Sequence, residues 1–207
     1  MKRLVSIGRQ YESLGSEISA RLSELSGIPC YDNEALVAIA EKHGIPRETF
    51  EKADEQATSS FLYSLTMSSY SGSLTHFGTN DLVLTDRVYS IQSSEIKRIA
   101  EEGDCIIVGR CSDSILDEYP ELMKIFIYAP LDVRIKRYME RTGETSEQSA
   151  RKVIVKADKK RSSYYNFYSG NTWGDPKNYH LNIDSSLLGV EGTAQLIFEA
   201  LKMHTKE

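Results

Sequence analysis

Cysteine is scarce: Cys30, Cys105 and Cys111 are an odd set in a 207-residue chain, with no CxxC spacing. They fit neither a disulfide framework nor a zinc site, and they match the usage expected in a reducing cytoplasm. The four histidines, His43, His76, His180 and His204, lie too far apart in sequence for metal-ligand spacing. No apolar run approaches the ~18 residues of a membrane span, and the few apolar residues before Arg9 are too few for a signal-peptide core. A soluble, cytoplasmic protein with no membrane partner is expected. Excess positive charge is lacking as well. Lys+Arg number 25 against 30 Asp+Glu, giving a net charge of −5, so nothing in the bulk attracts a nucleic acid polymer. Any polyanion site must be a local basic patch. One further absence is local: in LVSIGRQYESLGSEISARLSEL, residues 4–25, an apolar segment passes through a Gly and Ser loop into a helical pattern, yet no lysine follows the last glycine.

What is present alternates between two periodicities. LVSIG (4–8), IPCYD (28–32), CIIVG (105–109), KIFIYAP (124–130) and YHLNIDS (179–185) read as strands, and CIIVG in particular lacks polar alternation, as a strand covered on both faces does. Between them lie helical patterns. Ile18, Leu22 and Leu25 share a face that stops at Gly27; NEALVAIAEKHG, a stretch opened by Pro46, 81–103, LDVRIKRYMERTG, a basic stretch at 146–165, and a closing segment marked by Val190, Ala194, Ile197 and Leu201 complete the set. Residues 58–75 are Ser/Thr-rich yet keep Phe61, Leu62, Tyr63, Leu65, Met67 and Tyr70, which predicts a mobile, partly apolar segment. There is no internal repeat. Strands alternating with helices predict an α/β domain with a mostly parallel sheet, where ligands bind at the C-terminal strand ends. Those ends carry Gly8 and Arg9, Asp32 and Asn33, Gly109 and Arg110, and Ala129 and Pro130. Two arginines and a carboxylate converging on one edge predict an anion site.

The first loop has part of the chemistry of a phosphate cradle. Such a loop wraps phosphate with backbone N–H groups and a helix N-terminus, while a lysine reaches the terminal phosphates and a hydroxyl helps to hold Mg2+. Ser13, Gly15 and Ser16 keep the small and hydroxyl positions, but Glu12 and Leu14 stand where a tight loop favours glycine. Taken alone, the loop is also consistent with an ordinary strand-to-helix turn. A second basic feature is RKVIVKADKKR, with Arg151, Lys152, Lys156, Lys159, Lys160 and Arg161 within one helical stretch, which is consistent with a solvated face or with a phosphate-contacting lid.

Read together, SIGRQYESLGSEISARL, GIPCYDNEAL, GDCIIVGRCSD, IFIYAPLDVRIKR, DKKRSSYYNFYSG and WGDPKNYHLNID resemble the cytidylate-kinase-like family of P-loop nucleoside monophosphate kinases through most of the chain. Family members look like SREYGSGGSEIA at the first stretch, so Glu12 and Leu14 replace glycines, and Gly15 sits where ordinary nucleotide kinases have the lysine. The resemblance implies a single P-loop NTPase-like α/β domain over 1–207: a three-layer sandwich with a five-stranded parallel sheet, a helical acceptor lobe at about 33–80 and a helical lid at about 140–175. It implies Mg2+-dependent transfer of the ATP γ-phosphoryl group to a nucleoside monophosphate such as CMP. Arg9, Glu12, Ser13, Leu14, Gly15, Ser16 and Glu17 are then the ATP-binding loop, and Ser16 and Asp113 the Mg2+ ligands. Asp32 and Asn33 match the LDSG stretch that opens the monophosphate lobe, although Ala38 replaces the arginine that follows it. Arg110 matches the acceptor-contacting arginine of the GRD motif, whose aspartate is Cys111 here. Asp158 and Arg161 match the DxxR motif of the lid, with Asp158 at the acceptor end. Arg9, Arg110, Asp158 and Arg161 are the expected catalytic group.

Other readings stay open at this level. A nucleotide- or phosphate-binding regulator without transfer activity has the same anion chemistry, and the direction of Arg9 separates the two: folded over the loop, it supplies the missing charge. Residues 58–80 and the aromatics Tyr164, Tyr165, Phe167, Tyr168 and Trp173 are consistent with a homodimer surface, with core packing or with base stacking. Arg134, Arg137 and Arg141 fall at helical spacing and suit either a lid lining or a helix surface. Cys111 has a thiolate-favouring neighbour in Arg110 but no paired histidine, so no nucleophilic role is expected.

Overall fold

The computed structural model describes residues 2–42, 44, 46–48 and 79–204. Among them, one parallel sheet is built from β1 (Leu4–Arg9), β2 (Cys30–Tyr31), β3 (Cys105–Val108), β4 (Leu122–Tyr128) and β5 (Leu181–Asp184), in the spatial order β2-β3-β1-β4-β5. The helices are α1 (Gly15–Ser26), α2 (Asn33–Lys42), α3 (Thr79–Glu102), the single turn α4 (Ser112–Ile115), α5 (Leu131–Thr142), α6 (Glu147–Ser169) and α7 (Ser185–His204). A short 3-10 turn, Pro176–Asn178, precedes β5.

The strands lack polar alternation because helices cover both faces. Along β1, Val5 and Ile7 point to one side, where they join Ile106, Ile125 and Ile127 against Ile18 and Leu22 of α1 and Ile197 and Leu201 of α7. Leu4 points to the other, with Cys105, Ile107 and Leu122 against Leu36 of α2, Ile96 and Ile99 of α3, and Tyr165 of α6. Burying each such aliphatic side chain is worth roughly 1.5–3 kcal/mol, so the two interfaces fix the order of layers. The register places Leu4 of β1 beside Cys105 on one flank and Leu122 on the other. Being central, β1 ends in the middle of the sheet's C-terminal edge.

Several boundaries differ from the sequence reading. β1 runs one residue further, to Arg9, and pairs with Ile127 there. β2 shrinks to two residues at the sheet edge, next to a proline that has no amide to donate. The basic helix continues past residue 165 to Ser169 and stops at Gly170 (φ 70°), because its last turns swap apolar spacing for tyrosines that the periodicity does not count. α4, which follows β3 at once, was not expected. α7 contains a break at Gly189 (φ 62°, ψ −162°). Residues 58–75, most of the acceptor lobe expected at about 33–80, the dimer surface at 58–80 and most of the helix opened by Pro46 lie outside the described residues. No described helix is long and apolar enough to cross a membrane.

Candidate functional site

The ends of β1 and β3 open onto a cavity of about 340 Å³ lined by Arg9, Asn33, Gly109, Arg110, Lys160 and Arg161, with Tyr11, Tyr164, Tyr165, Trp173 and Tyr179 as its aromatic wall. It lies where β1 and β3 run side by side although β2 intervenes in sequence, the kind of crevice in which open parallel sheets bind ligands.

Arg9 folds over the loop. A Cβ added to Gly15 would lie 2.5 Å from Arg9 Cβ and 2.7 Å from its Cγ, so the stem of Arg9 fills the space over that glycine. Its guanidinium ends against Gly109, whose own added Cβ would stand 3.1 Å from Arg9 Cζ. The charge therefore reaches from the loop to the turn that carries Arg110. That turn is strained: Gly109, Arg110 and Cys111 all have positive φ (79°, 58° and 56°), a conformation that costs a residue with a Cβ about 1–2 kcal/mol and concentrates at functional sites. Arg110 donates from Nη2 to Asn33 Oδ1, and its Cζ lies 5.9 Å from the centre of the Tyr164 ring. Arg161 donates from Nη1 to the Arg9 carbonyl at 3.0 Å, with its Cζ 5.3 Å from the Tyr11 ring centre. Four cationic side chains, Arg9, Arg110, Lys160 and Arg161, thus line one cavity of a net acidic protein. A phosphoryl group there meets guanidinium forks from several elements.

The loop itself carries two further left-handed residues, Glu12 (φ 59°) and Leu14 (φ 61°), each at a similar cost of about 1–2 kcal/mol. Ser13 is buried, its hydroxyl donating to the Gln10 carbonyl at 2.9 Å. Ser16 and Glu17 are exposed on the first turn of α1, whose leading amides have no partner within the helix and so suit an anion. The Glu12 carboxylate turns away onto Arg141 at 2.5 Å, which removes the repulsion it would exert on phosphate.

The other expected residues divide. Arg110 and Asn33 meet in the cavity. Asp32 is exposed and caps α2 by accepting the Ala35 amide at 3.0 Å. Asp158 faces the loop, accepting the Tyr11 amide at 2.8 Å and pairing with Arg134 at 2.6 Å. Of the basic stretch, Arg151, Lys152, Lys156 and Lys159 are exposed, and only Lys160 and Arg161 reach the cavity. Among the aromatics, Tyr164, Tyr165 and Trp173 line it, whereas Tyr168 stacks on Tyr89 with ring centres 3.9 Å apart and Phe167 is exposed.

Asp113 lines the cavity but is buried, accepting the Tyr165 hydroxyl at 2.6 Å; burial raises its pKa above the ordinary carboxylate value. Burial, reinforced by Asp113, likewise pushes the Cys111 thiol up and outweighs the opposite pull of Arg110, so the thiolate is disfavoured. A carboxyl that resists ionisation and already accepts a hydroxyl is a poor Mg2+ ligand. Magnesium in phosphoryl-transfer sites takes only one or two protein oxygens besides the phosphates, and the exposed Ser16 hydroxyl fits that need. No group of three His, Cys, Asp or Glu able to hold a metal occurs among the described residues. Tyr11 and Tyr179 were missed by sequence reasoning. The signal for Tyr179 is indirect: Gly8 leaves room for Phe126 and Tyr179, which pack with ring centres 5.0 Å apart.

Comparisons with known proteins agree with this architecture. A cytidylate kinase from Haloarcula marismortui is 24% identical over 108 residues, which cover 52% of this chain and 55% of that protein, so the chain spans about half the length of this curated relative. A crystal structure of an uncharacterized protein from Eubacterium ventriosum superposes over 97% of this chain and 99% of that one, with a TM-score of 0.72 and 25% identity. Shikimate kinase from Acinetobacter baumannii, solved with shikimate, superposes over 100% of this chain and 96% of its own at a TM-score of 0.55 and 12% identity, and shows the shared α/β P-loop fold. The model of the cytidylate kinase-like family matches residues 4–187, and the chain belongs to that family.

Proposed function

We propose that the protein transfers the γ-phosphoryl group of ATP to a nucleoside monophosphate, with CMP as the first candidate. The observation that carries this reading is the path of Arg9, which puts a guanidinium between the loop and the Arg110 turn and so supports it as a substitute for the charge of the missing lysine. Phosphoryl transfer needs alignment and positive charge around the equatorial oxygens more than covalent chemistry. The leading amides of α1 would hold the donor phosphates, and Ser16 the Mg2+ that shields them. Arg110, oriented by Asn33, would hold the acceptor phosphate, with Lys160 and Arg161 closing from α6 as the lid side. The aromatic wall would bury the rest of the acceptor.

A second reading, nucleotide binding without transfer, draws support from the loop itself: it lacks the lysine, and Asp158 takes the Tyr11 amide. Turnover separates the two. A panel of nucleoside monophosphates with ATP and Mg2+, followed by ADP release, should give one preferred acceptor, and Arg110→Ala and Arg161→Ala should each abolish most of that rate. Nucleotide-induced thermal shifts without ADP release would favour the binding protein. Neither shift nor release would remove both readings.

A further inference from the structure

We propose that Arg134, Arg137 and Arg141 of α5, with Asp158 of α6, are positioning residues that hold Tyr11 and Glu12 so that Glu12 keeps the left-handed conformation the anion loop requires, while core packing holds Leu14 in its own. Glycine adopts positive φ freely, so a loop with glycine at both places needs no restraint. This loop has a glutamate and a leucine there, and the carbonyl and carboxylate of Glu12 and the backbone of Tyr11 are tied down.

The ties form a chain from one side of the loop to the other. The Tyr11 amide donates to Asp158 Oδ1 at 2.8 Å, and the Tyr11 carbonyl accepts from Arg134 Nη1 at 3.1 Å. Arg134 is itself buried and fixed, donating from Nε to the Ala129 carbonyl at 3.0 Å and from Nη1 to Asp158 Oδ2 at 2.6 Å. One residue on, the Glu12 carbonyl accepts from Arg137 Nη1 at 3.3 Å, and the same guanidinium holds the Ser185 hydroxyl at 3.1 Å and the Ser185 carbonyl at 3.3 Å. Arg141 pairs with the Glu12 carboxylate and donates from Nη2 to the Tyr11 hydroxyl at 3.3 Å. Leu14 is secured by packing against the core shared by α1 and β1. Arg134 and Arg137 thus act on the loop backbone, and Arg141 on the side chains of Tyr11 and Glu12. Arg134 is anchored to the Ala129 carbonyl just after β4 and Arg137 to Ser185 just after β5, so the clamp ties the strand ends to a loop that would otherwise relax toward negative φ.

The inference rests on the reading that this loop binds the ATP phosphates, but its test includes an arm that does not. Arg137 is the residue to change, because Arg134 is buried and its loss risks misfolding. The first arm measures amide hydrogen exchange at residues 11–15 without nucleotide, in the wild type, in Arg137→Ala, in Glu12→Gly/Leu14→Gly, and in the triple variant. Exchange should accelerate in Arg137→Ala, and the triple variant should return about to the level of the glycine double variant. The second arm titrates ATP without acceptor by calorimetry. Releasing one strained residue should weaken ATP binding about tenfold in Arg137→Ala, and the two glycines should restore most of it, with CMP binding unchanged. Unchanged exchange in Arg137→Ala, or a loss of ATP affinity that the glycines fail to rescue, overturns the clamp. If the wild type binds no ATP, the proposed donor site falls and the exchange arm still decides whether the clamp exists.

Discussion

Asp113 illustrates how a residue's surroundings overrule its sequence role. Its place after Arg110 made it a candidate magnesium ligand, but burial raises its pKa above the ordinary carboxylate value and one of its oxygens already accepts the Tyr165 hydroxyl. The pH consequence has a definite sign. With the folded pKa above the unfolded one, near 3.9, the native state binds the extra proton between the two values. The stability contributed by Asp113 is therefore complete at lower pH and is lost as pH rises through its folded pKa. Asp113→Asn, which keeps the acceptor oxygen and has no charge to gain, should flatten the melting temperature between pH 4 and neutrality relative to wild type. Parallel curves in differential scanning fluorimetry would show that Asp113 titrates as an ordinary aspartate.

At the scale of elements, α6 shows what periodicity reveals and what it hides. Ala150 and Ile154 are its buried apolar positions, legible as one helical face. Two and three turns after Ile154 that face carries Arg161 and Tyr165, residues with polar tips that point inward because a cavity and the loop lie there. Burial of an arginine beside a carbonyl leaves no apolar trace, so sequence alone left the basic stretch divided between a solvated face and a phosphate contact; both occur, on different sides of one helix. The three arginines of α5 were equally ambiguous, since each reaches Tyr11 or Glu12 in a loop more than a hundred residues away in sequence. Lys156→Ala, on the exposed face, should change stability by no more than about 0.5 kcal/mol and leave monophosphate turnover intact, in contrast to Arg161→Ala. Equal losses in the two variants would mean that the whole helix, not its inner face, meets the ligand.

For the whole molecule, the five-stranded parallel sheet and its two-sided cover were the most legible parts, because short apolar runs alternating with helices admit few architectures. The left-handed turn at Gly109, Arg110 and Cys111 and the one-turn α4 were not, since they depend on tertiary contacts and not on local preference. The cavity joins the sheet to a covering helix through residues from β1, the β3 turn and α6, so ligand binding should stabilise the fold as a unit. An acceptor or donor at about a hundred times its dissociation constant should add about 2.7 kcal/mol, visible as one cooperative upward shift in melting temperature. Arg110→Ala should lose the shift given by the monophosphate and keep the one given by ATP; loss of both would place Arg110 at the donor phosphates.

The position of Arg9 has a further consequence. A P-loop lysine stands at the start of a helix, on a segment that adjusts to its ligand. Arg9 stands on the last residue of the central strand, paired to Ile127, and its stem is wedged over Gly15. In the proposed phosphoryl transfer, its charge would be mounted on the central strand of the sheet. Such a transfer would then need little reorganisation of that charge, a form of electrostatic preorganisation in which the sheet would take over the work of a glycine-rich loop.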